Sequence, residues 1–481
     1  MHILLYVLDA LRADHLSCYG YKRETTPRID ALAREGVLFE HCFTSSTWTR
    51  PVAASILTGA YPDVHLTRSR YEMFSTPLTR LPEALKAKGF KTAAFSTMGN
   101  VGSEVGFARG FDSFHDLFRD PDILAKRRKL DAAREGLMHA LHEKVALPRA
   151  EDINSRLLPW LAQNRTADTF SFIWSMETHV PYKAPSEFRR FSGATPRRPN
   201  EGERDDIRRA GKADRQRLMD LYDDEIYYND HCIGQIIDHL KELDIYDDTL
   251  FVIVSDHGDA FYEHGFYTHG HIPYEELIHV PMIFKFPGQR YAGQRVKGLV
   301  ELIDIFPTIM AVVGYDPGAI EGAFLQGYSL LPLIDGTRSQ VREYVFSDTR
   351  SLEISNRYLS VRGQLWKYIQ VQRPRSKKPF LVSALKHTVE RRMLFVILRN
   401  PRHFLRRYLS ASKEYLFELR SDPGEQCNLI AEHPDMADQL RRVLESWRQR
   451  NHELAQQVGF SPYTYEESKS LRRHLEELGY I

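Results

Sequence analysis

The sequence predicts an α/β protein: a mostly parallel central sheet with flanking helices, followed by a smaller C-terminal α+β unit. Three observations predict it. Strand-length apolar runs alternate with longer helical periods through the first two thirds of the chain. Residues able to do chemistry fall just after several of those runs. Beyond Phe346 the pattern changes to short strand candidates followed by one long helical stretch. The chain has 481 residues, 42% hydrophobic and 27% charged, which suits one large domain with a minor one and excludes a disordered, collagen-like or repeat chain.

The first run, residues 3–8, has neither a basic segment before it nor a small-residue cleavage site after it, so it reads as a strand rather than a signal peptide. Further strands are expected at 92–95, 170–174, 250–254 and 282–286, and helices at 27–34, 51–57, 81–87, 153–162, 216–240 and 303–312. Short strands at 358–361, 366–369 and 415–419 and a helix near 436–447 make up the second unit, which divides the chain into 1–340 and 341–481. No run reaches the eighteen or so apolar residues of a membrane span. Four scattered cysteines fit a reduced, cytoplasmic protein. With 65 basic against 64 acidic residues, the chain-wide basic footprint of a nucleic-acid binder is absent.

Ligands of open sheets gather beyond the carboxyl ends of the strands, and three places there carry chemistry. The first strand delivers Asp9 and, three residues on, Arg12. The run 250–254 stops at Ser255-Asp256-His257-Gly258, where oxygen and imidazole donors suit a divalent cation and Gly258 permits a sharp turn. Residues 257–279 then hold five of the chain's 20 histidines: His257, His264, His269, His271 and His279. Third, Pro51 suits a first helical turn, which puts Thr49 near the N-cap, facing free backbone N–H groups. Together these are the parts of a metal-activated nucleophile.

The ordered motifs resemble the sulfatase branch of the alkaline phosphatase superfamily. They run from Asp9-x-x-Arg12-x-Asp14 and Thr26-Pro27-x-Ile29-Asp30 through Gly106-x-x-x-Gly110-Phe111-Asp112, His179-x-Pro181-Tyr182, Asp256-His257-Gly258, Tyr274-Glu275-Glu276 and Asp304-x-x-Pro307-Thr308. They end at Tyr415-Leu416-Phe417-Glu418-Leu419 and Asp422-Pro423-Gly424-Glu425. The resemblance implies the fold above and a metal-dependent hydrolase or transferase of anionic esters. It also implies departures. Counting back from Leu57-Thr58-Gly59 puts Thr49 where formylglycine enzymes carry a modifiable Cys or Ser, with Ala53 in place of an Arg and Ala10 in place of a second Asp. Oxidised threonine would be a ketone, not an aldehyde, so the chemistry leans toward phosphodiester or phosphonate substrates and a covalent intermediate on Thr49. A sulfuric ester hydrolase working without formylglycine, or an inactive binding homologue, are the alternatives.

Carried over residue by residue, the resemblance implies one metal site made by Asp9, Thr49, Asp256 and His257, for Mn, Mg, Ca or Zn, with Thr49 also the nucleophile. His179 takes the leaving-group or substrate-binding place, His269 or His271 a second acid/base, and Arg12 and Arg50 either charge stabilisation or surface ion pairs. A second metal on Glu177, His179 and His271 is a further option. The substrate is an anionic ester, lipid- or glycan-linked. Residues 373–413, with twelve Lys or Arg and one acid among apolar runs, suit either peripheral membrane contact or a hairpin packed on the catalytic domain or at a dimer interface.

Overall fold

The computed structural model describes residues 1–69, 71–135, 147–197, 201–350, 356–372, 414–461 and 468–477. The basic segment 373–413 lies outside them. The large sheet is built from β1 (His2–Leu8), β2 (Val37–Phe43), β3 (Lys91–Ser96), β4 (Ser113–Asp116), β5 (Thr169–Ser175) and β6 (Thr249–Ser255). After a two-stranded ribbon, β7 (Ala260–Phe261) with β8 (Tyr267–Thr268), come β9 (His279–Val280), β10 (Met282–Lys285) and β11 (Gln294–Glu301). The order across the sheet is β11-β2-β10-β6-β1-β5-β3-β4, with β9 paired to β2. Strands β6, β1, β5, β3 and β4 run parallel, and β10 runs antiparallel to both neighbours.

Alternation along β1 explains why it sits at the centre. Leu5 and Val7 face one core, with Val52 and Ile56 of the helix Thr49–Thr58 and Phe306 of the helix Ile305–Val312. Leu4 and Tyr6 face the other, with Ile29 and Leu32 of the helix Pro27–Arg34, Leu157 of the helix Ala150–Gln163 and Ile233 of the helix Arg215–Glu242. A strand covered on both faces reads as a continuous apolar run, as β1, β5 and β6 do. Sequence periodicity finds those strands but misses β2, β4, β11 and the later strand Val345–Arg350. In β2 the half-buried Glu40 and His41 break the apolar run. Strand β4 is a four-residue edge, and β11 is an edge whose exposed Arg295 and Lys297 hide its period.

The second sheet is antiparallel, in the order β12 (Val345–Arg350), β13 (Arg357–Arg362), β14 (Trp366–Gln372) and β15 (Glu414–Glu418). One face packs on the helix Pro434–Val458, where the Phe346 and Trp447 rings stack at 4.8 Å. The other face places Ile369 and Phe417 against Tyr274 and Leu277, which follow the β7–β8 ribbon. The later helix Lys469–Glu477 returns to the large sheet, burying Leu471 and Leu475 in its core.

Ile253, fully buried in the centre of β6, tests the two-sided packing. Ile253→Ala should lower unfolding free energy by about 2–5 kcal/mol in urea melts; a loss below about 1 kcal/mol would contradict it.

Candidate active site

Register brings the acids together. Leu8 pairs with Ser255 on one side and Ser175 on the other, so Asp9 and Asp256 leave adjacent parallel strands at the same level. The chain then turns through Ala10, whose φ of +63° is a left-handed conformation that a non-glycine residue adopts at a cost of about 1 kcal/mol. That turn aims the Ala10 N–H at Asp256 Oδ1, 2.9 Å away, and Tyr222 on the helix Arg215–Glu242 holds it by donating to the Ala10 carbonyl at 2.7 Å.

Each carboxylate has one oxygen satisfied and one left over. Asp9 Oδ2 accepts from Trp174 Nε1 at 3.0 Å, and Asp256 Oδ1 accepts from the N–H groups of Ala10 and His257. Asp9 Oδ1 and Asp256 Oδ2 are buried with no hydrogen-bond partner. His257 Nε2 lies 4.0 Å from the first and 3.2 Å from the second. Its other nitrogen, Nδ1, is 3.1 Å from the Gly258 carbonyl, which assigns the proton to Nδ1 and leaves an Nε2 lone pair facing the acids. Burial, reinforced by the Asp256 charge, pushes Asp9 well above the usual carboxylate range. Burial likewise pushes Asp256 up to about 7 and holds His257 down. Two buried carboxylate oxygens without donors, beside an imidazole lone pair, fit a divalent cation, which would satisfy all three at once.

Thr49 joins this group. Its hydroxyl oxygen is 3.3 Å from His257 Nε2 and its side chain is buried. The N-cap expected at Thr49 is occupied by Trp48, extended at φ −149° and ψ 139°, and Thr49 is the first helical residue, a shift of one position of the size that helix ends commonly show. Arg50 follows it, buried, and donates to Asn100 Oδ1 at 2.9 Å.

The histidine loop contributes His269 rather than His271. The His269 ring lies 4.2 Å from that of His257 and 5.0 Å from that of His179, centroid to centroid. The His271 ring packs edge-on against Phe266, and its carbonyl accepts from Thr47. His269 Nδ1 is 2.7 Å from Asp259 Oδ1, while Asp259 Oδ2 accepts from Tyr182 at 3.0 Å. Sequence reasoning missed Asp259, although it closes the run Asp256-His257-Gly258-Asp259. Among the described residues His257, Asp259 and His269 form another set of converging donors, whereas Glu177, His179 and His271 do not. Glu177 instead accepts from Ser175 at 3.0 Å. Burial holds both His179 and His269 well below the usual imidazole range, so both are neutral.

Of its two expected roles, Arg12 takes the ion pair. Its guanidinium makes two hydrogen bonds to Asp14, at 2.9 and 2.7 Å, one to Glu263 at 2.7 Å and one to the Asp259 carbonyl at 3.1 Å. A fork occupied by two carboxylates braces the loop rather than stabilising charge on a substrate. Gly258 is needed for a different reason from the expected sharp turn. Its φ is not positive, but a Cβ there would sit 2.0 Å from the Glu276 carbonyl oxygen.

Comparisons with known proteins show the family. A family model described as Sulfatase matches residues 1–315. The chain belongs to the sulfatase family. A second family model, described as N-sulphoglucosamine sulphohydrolase, C-terminal, matches residues 262–380. Among sulfatase relatives, the human iduronate 2-sulfatase is 23% identical over 65% of this chain and 69% of its own. The N-acetylgalactosamine-6-O-sulfatase of Bacteroides thetaiotaomicron is 22% identical over 93% of both. Solved structures share the fold. One, in complex with its substrate D-glucosamine-2-N,6-O-disulfate, has a TM-score of 0.69 at 17% identity, covering 94% of this chain and 98% of that one. The phosphonate monoester hydrolase from Silicibacter pomeroyi has a TM-score of 0.68 at 21% identity, covering 94% and 95%. The sulfatase family, a family of hydrolases, thus supplies the fold and an anionic ester as the class of substrate.

Gly258→Ala should cost about 2–3 kcal/mol, because backbone rather than a flexible side chain meets the new methyl. Unchanged thermal unfolding would contradict the close approach.

Proposed function

We propose that this chain is a metal-dependent hydrolase of sulfuric esters in which Thr49 is the attacking group. The observation that carries the reading is the Thr49 hydroxyl lying against His257 Nε2, beside two buried carboxylate oxygens that lack donors. Membership of the sulfatase family supports the choice of sulfur over phosphorus. Asp9, Asp256, His257 and Thr49 would hold the cation. When bound, it supplies Lewis acidity, favouring the threonine alkoxide and drawing charge from a non-bridging substrate oxygen.

The remaining work falls to the chain's own residues. His269, neutral and with its Nδ1–H fixed on Asp259, offers Nε2 as the acceptor for the Thr49 proton. A bond forms between Thr49 Oγ1 and sulfur while the bond from sulfur to the leaving oxygen, on the opposite side, breaks; that oxygen takes a proton from solvent as it leaves, and His269 keeps the Thr49 proton for its return in the second step. His179, its Nδ1 turned to the Val180 carbonyl at 2.6 Å, keeps Nε2 for the substrate. Water then attacks the same sulfur, the bond from sulfur to Thr49 breaks, and Thr49 recovers its proton. Burial of these groups keeps bulk water from competing with the first step.

One observation favours a second reading. Threonine has no route to formylglycine, and phosphonate monoester hydrolases share the fold, so phosphonate monoesters or phosphodiesters would suit direct attack by the Thr49 hydroxyl. Transfer to an acceptor alcohol would follow the same first step.

The test is a panel of p-nitrophenyl sulfate, p-nitrophenyl phenylphosphonate and bis(p-nitrophenyl) phosphate, assayed with manganese, calcium or zinc and again after chelation. The proposal expects sulfate-ester cleavage that chelation abolishes and that Thr49→Ala lowers by about 10³-fold or more. A preference for the phosphonate or the diester would move the assignment to the second reading. Full activity in Thr49→Ala would overturn both.

A further inference from the structure

A separate group of donors lies where the loop after β7 meets the C-terminal sheet. His264 Nε2 is 3.6 Å from Glu276 Oε1, and these residues converge with a carboxylate oxygen of Glu425 so that the three donor atoms lie within 4.8 Å of one another. His264 Nε2 and Glu276 Oε1 are shut off from solvent without a hydrogen-bond partner, whereas Glu425 Oε1 is paired with Lys367 Nζ at 2.8 Å. The three side chains are 10%, 8% and 1% exposed, so water does not supply what the protein withholds.

Their positions are fixed from behind. The His264 ring stacks on Tyr274, with centroids 3.5 Å apart and planes 7° from parallel. Glu425 Oε2 accepts from the Glu275 N–H at 2.6 Å, which turns Oε1 toward the group. Lys367 Nζ lies 2.8 Å from Glu425 Oε1 and 3.1 Å from Glu275, and Arg362 lies 3.5 Å from Glu275. Among the described residues, Glu275 and Glu425 thus have Lys and Arg partners within 4.0 Å, whereas Glu276 has only the His264 ring. Burial holds His264 down near 4, so its imidazole is neutral and does not supply a positive charge.

One imidazole and two carboxylates with converging lone pairs are a donor set for zinc or a similar divalent ion. We propose that His264, Glu276 and Glu425 form a second, structural divalent-cation site, distinct from the group around Thr49, with the Glu425 carboxylate shared between the cation and Lys367. Such an ion pins the loop that carries Asp259 and His269 to the C-terminal sheet. Glu263, next to His264, pairs with Arg12, so the clamp continues into the brace beside Asp9.

The test counts zinc on the full-length chain, stripped by chelator and titrated with zinc chloride by calorimetry and by elemental analysis after gel filtration. Wild type should bind two ions per chain. Asp256→Asn should lose one, His264→Gln and Glu276→Gln should each lose the other, and circular dichroism should show all three folded. If His264→Gln and Glu276→Gln keep the wild-type stoichiometry, the second site is overturned and Glu276 holds a proton instead. Wild type binding a single ion that Asp256→Asn abolishes overturns it as well, whatever the folding of the other variants, and leaves the Thr49 reading intact. Loss of zinc only in His264→Gln and Glu276→Gln would keep this site and assign the Thr49 group to an ion other than zinc.

Discussion

Two carboxylates in one buried place are the constraint around which this molecule is arranged. Asp9 and Asp256 stand side by side because β1 and β6 are parallel and in register, and adjacent strands lie about 4.8 Å apart. Like charges so close and so dry repel strongly, and each lost hydration shell costs several kcal/mol unless a counter-charge replaces it. The surrounding structure satisfies half of each group, through Trp174 for Asp9 and backbone N–H groups for Asp256, and aims the other half inward. On the proposed reading, a cation bound there would act twice, relieving the repulsion and preparing the hydroxyl of the helix that begins at Thr49.

Much of the remaining architecture holds that pair in place. Strained backbone at Ala10 is backed by Tyr222, and Thr178, also left-handed at φ +83°, donates its hydroxyl to the Asp9 carbonyl. Arg12 ties the segment after β1 to the loop after β6 through Glu263 and the Asp259 carbonyl. The C-terminal sheet covers that loop through Ile369, Phe417 and Tyr274, so residues far from Thr49 in sequence govern where His269 sits.

How much of this is legible in the sequence follows from which signals are local. The central strands are legible because burial on both faces leaves unbroken apolar runs, and Asp9 and Asp256-His257 because they end those runs. Thr49 is legible through Pro51 and the helix after it. Edge strands β4 and β11 are not, since exposure on an edge removes the hydrophobic pattern. His269 cannot be separated from His271 by spacing, because a loop has no period and only the fold decides which ring reaches His257. The role of Arg12 depends on Glu263, 251 residues away, which no local pattern announces. Asp259 directly follows the run that ends at Gly258, but its partner Tyr182 comes from another part of the chain.

The most direct measurement is anomalous diffraction from crystals of the full chain soaked in manganese chloride. The account predicts a manganese peak bonded to Asp9 Oδ1, Asp256 Oδ2 and His257 Nε2, with the Thr49 oxygen turned toward it. No peak at that position under saturating manganese, with the two carboxylates sharing a proton instead, would contradict it.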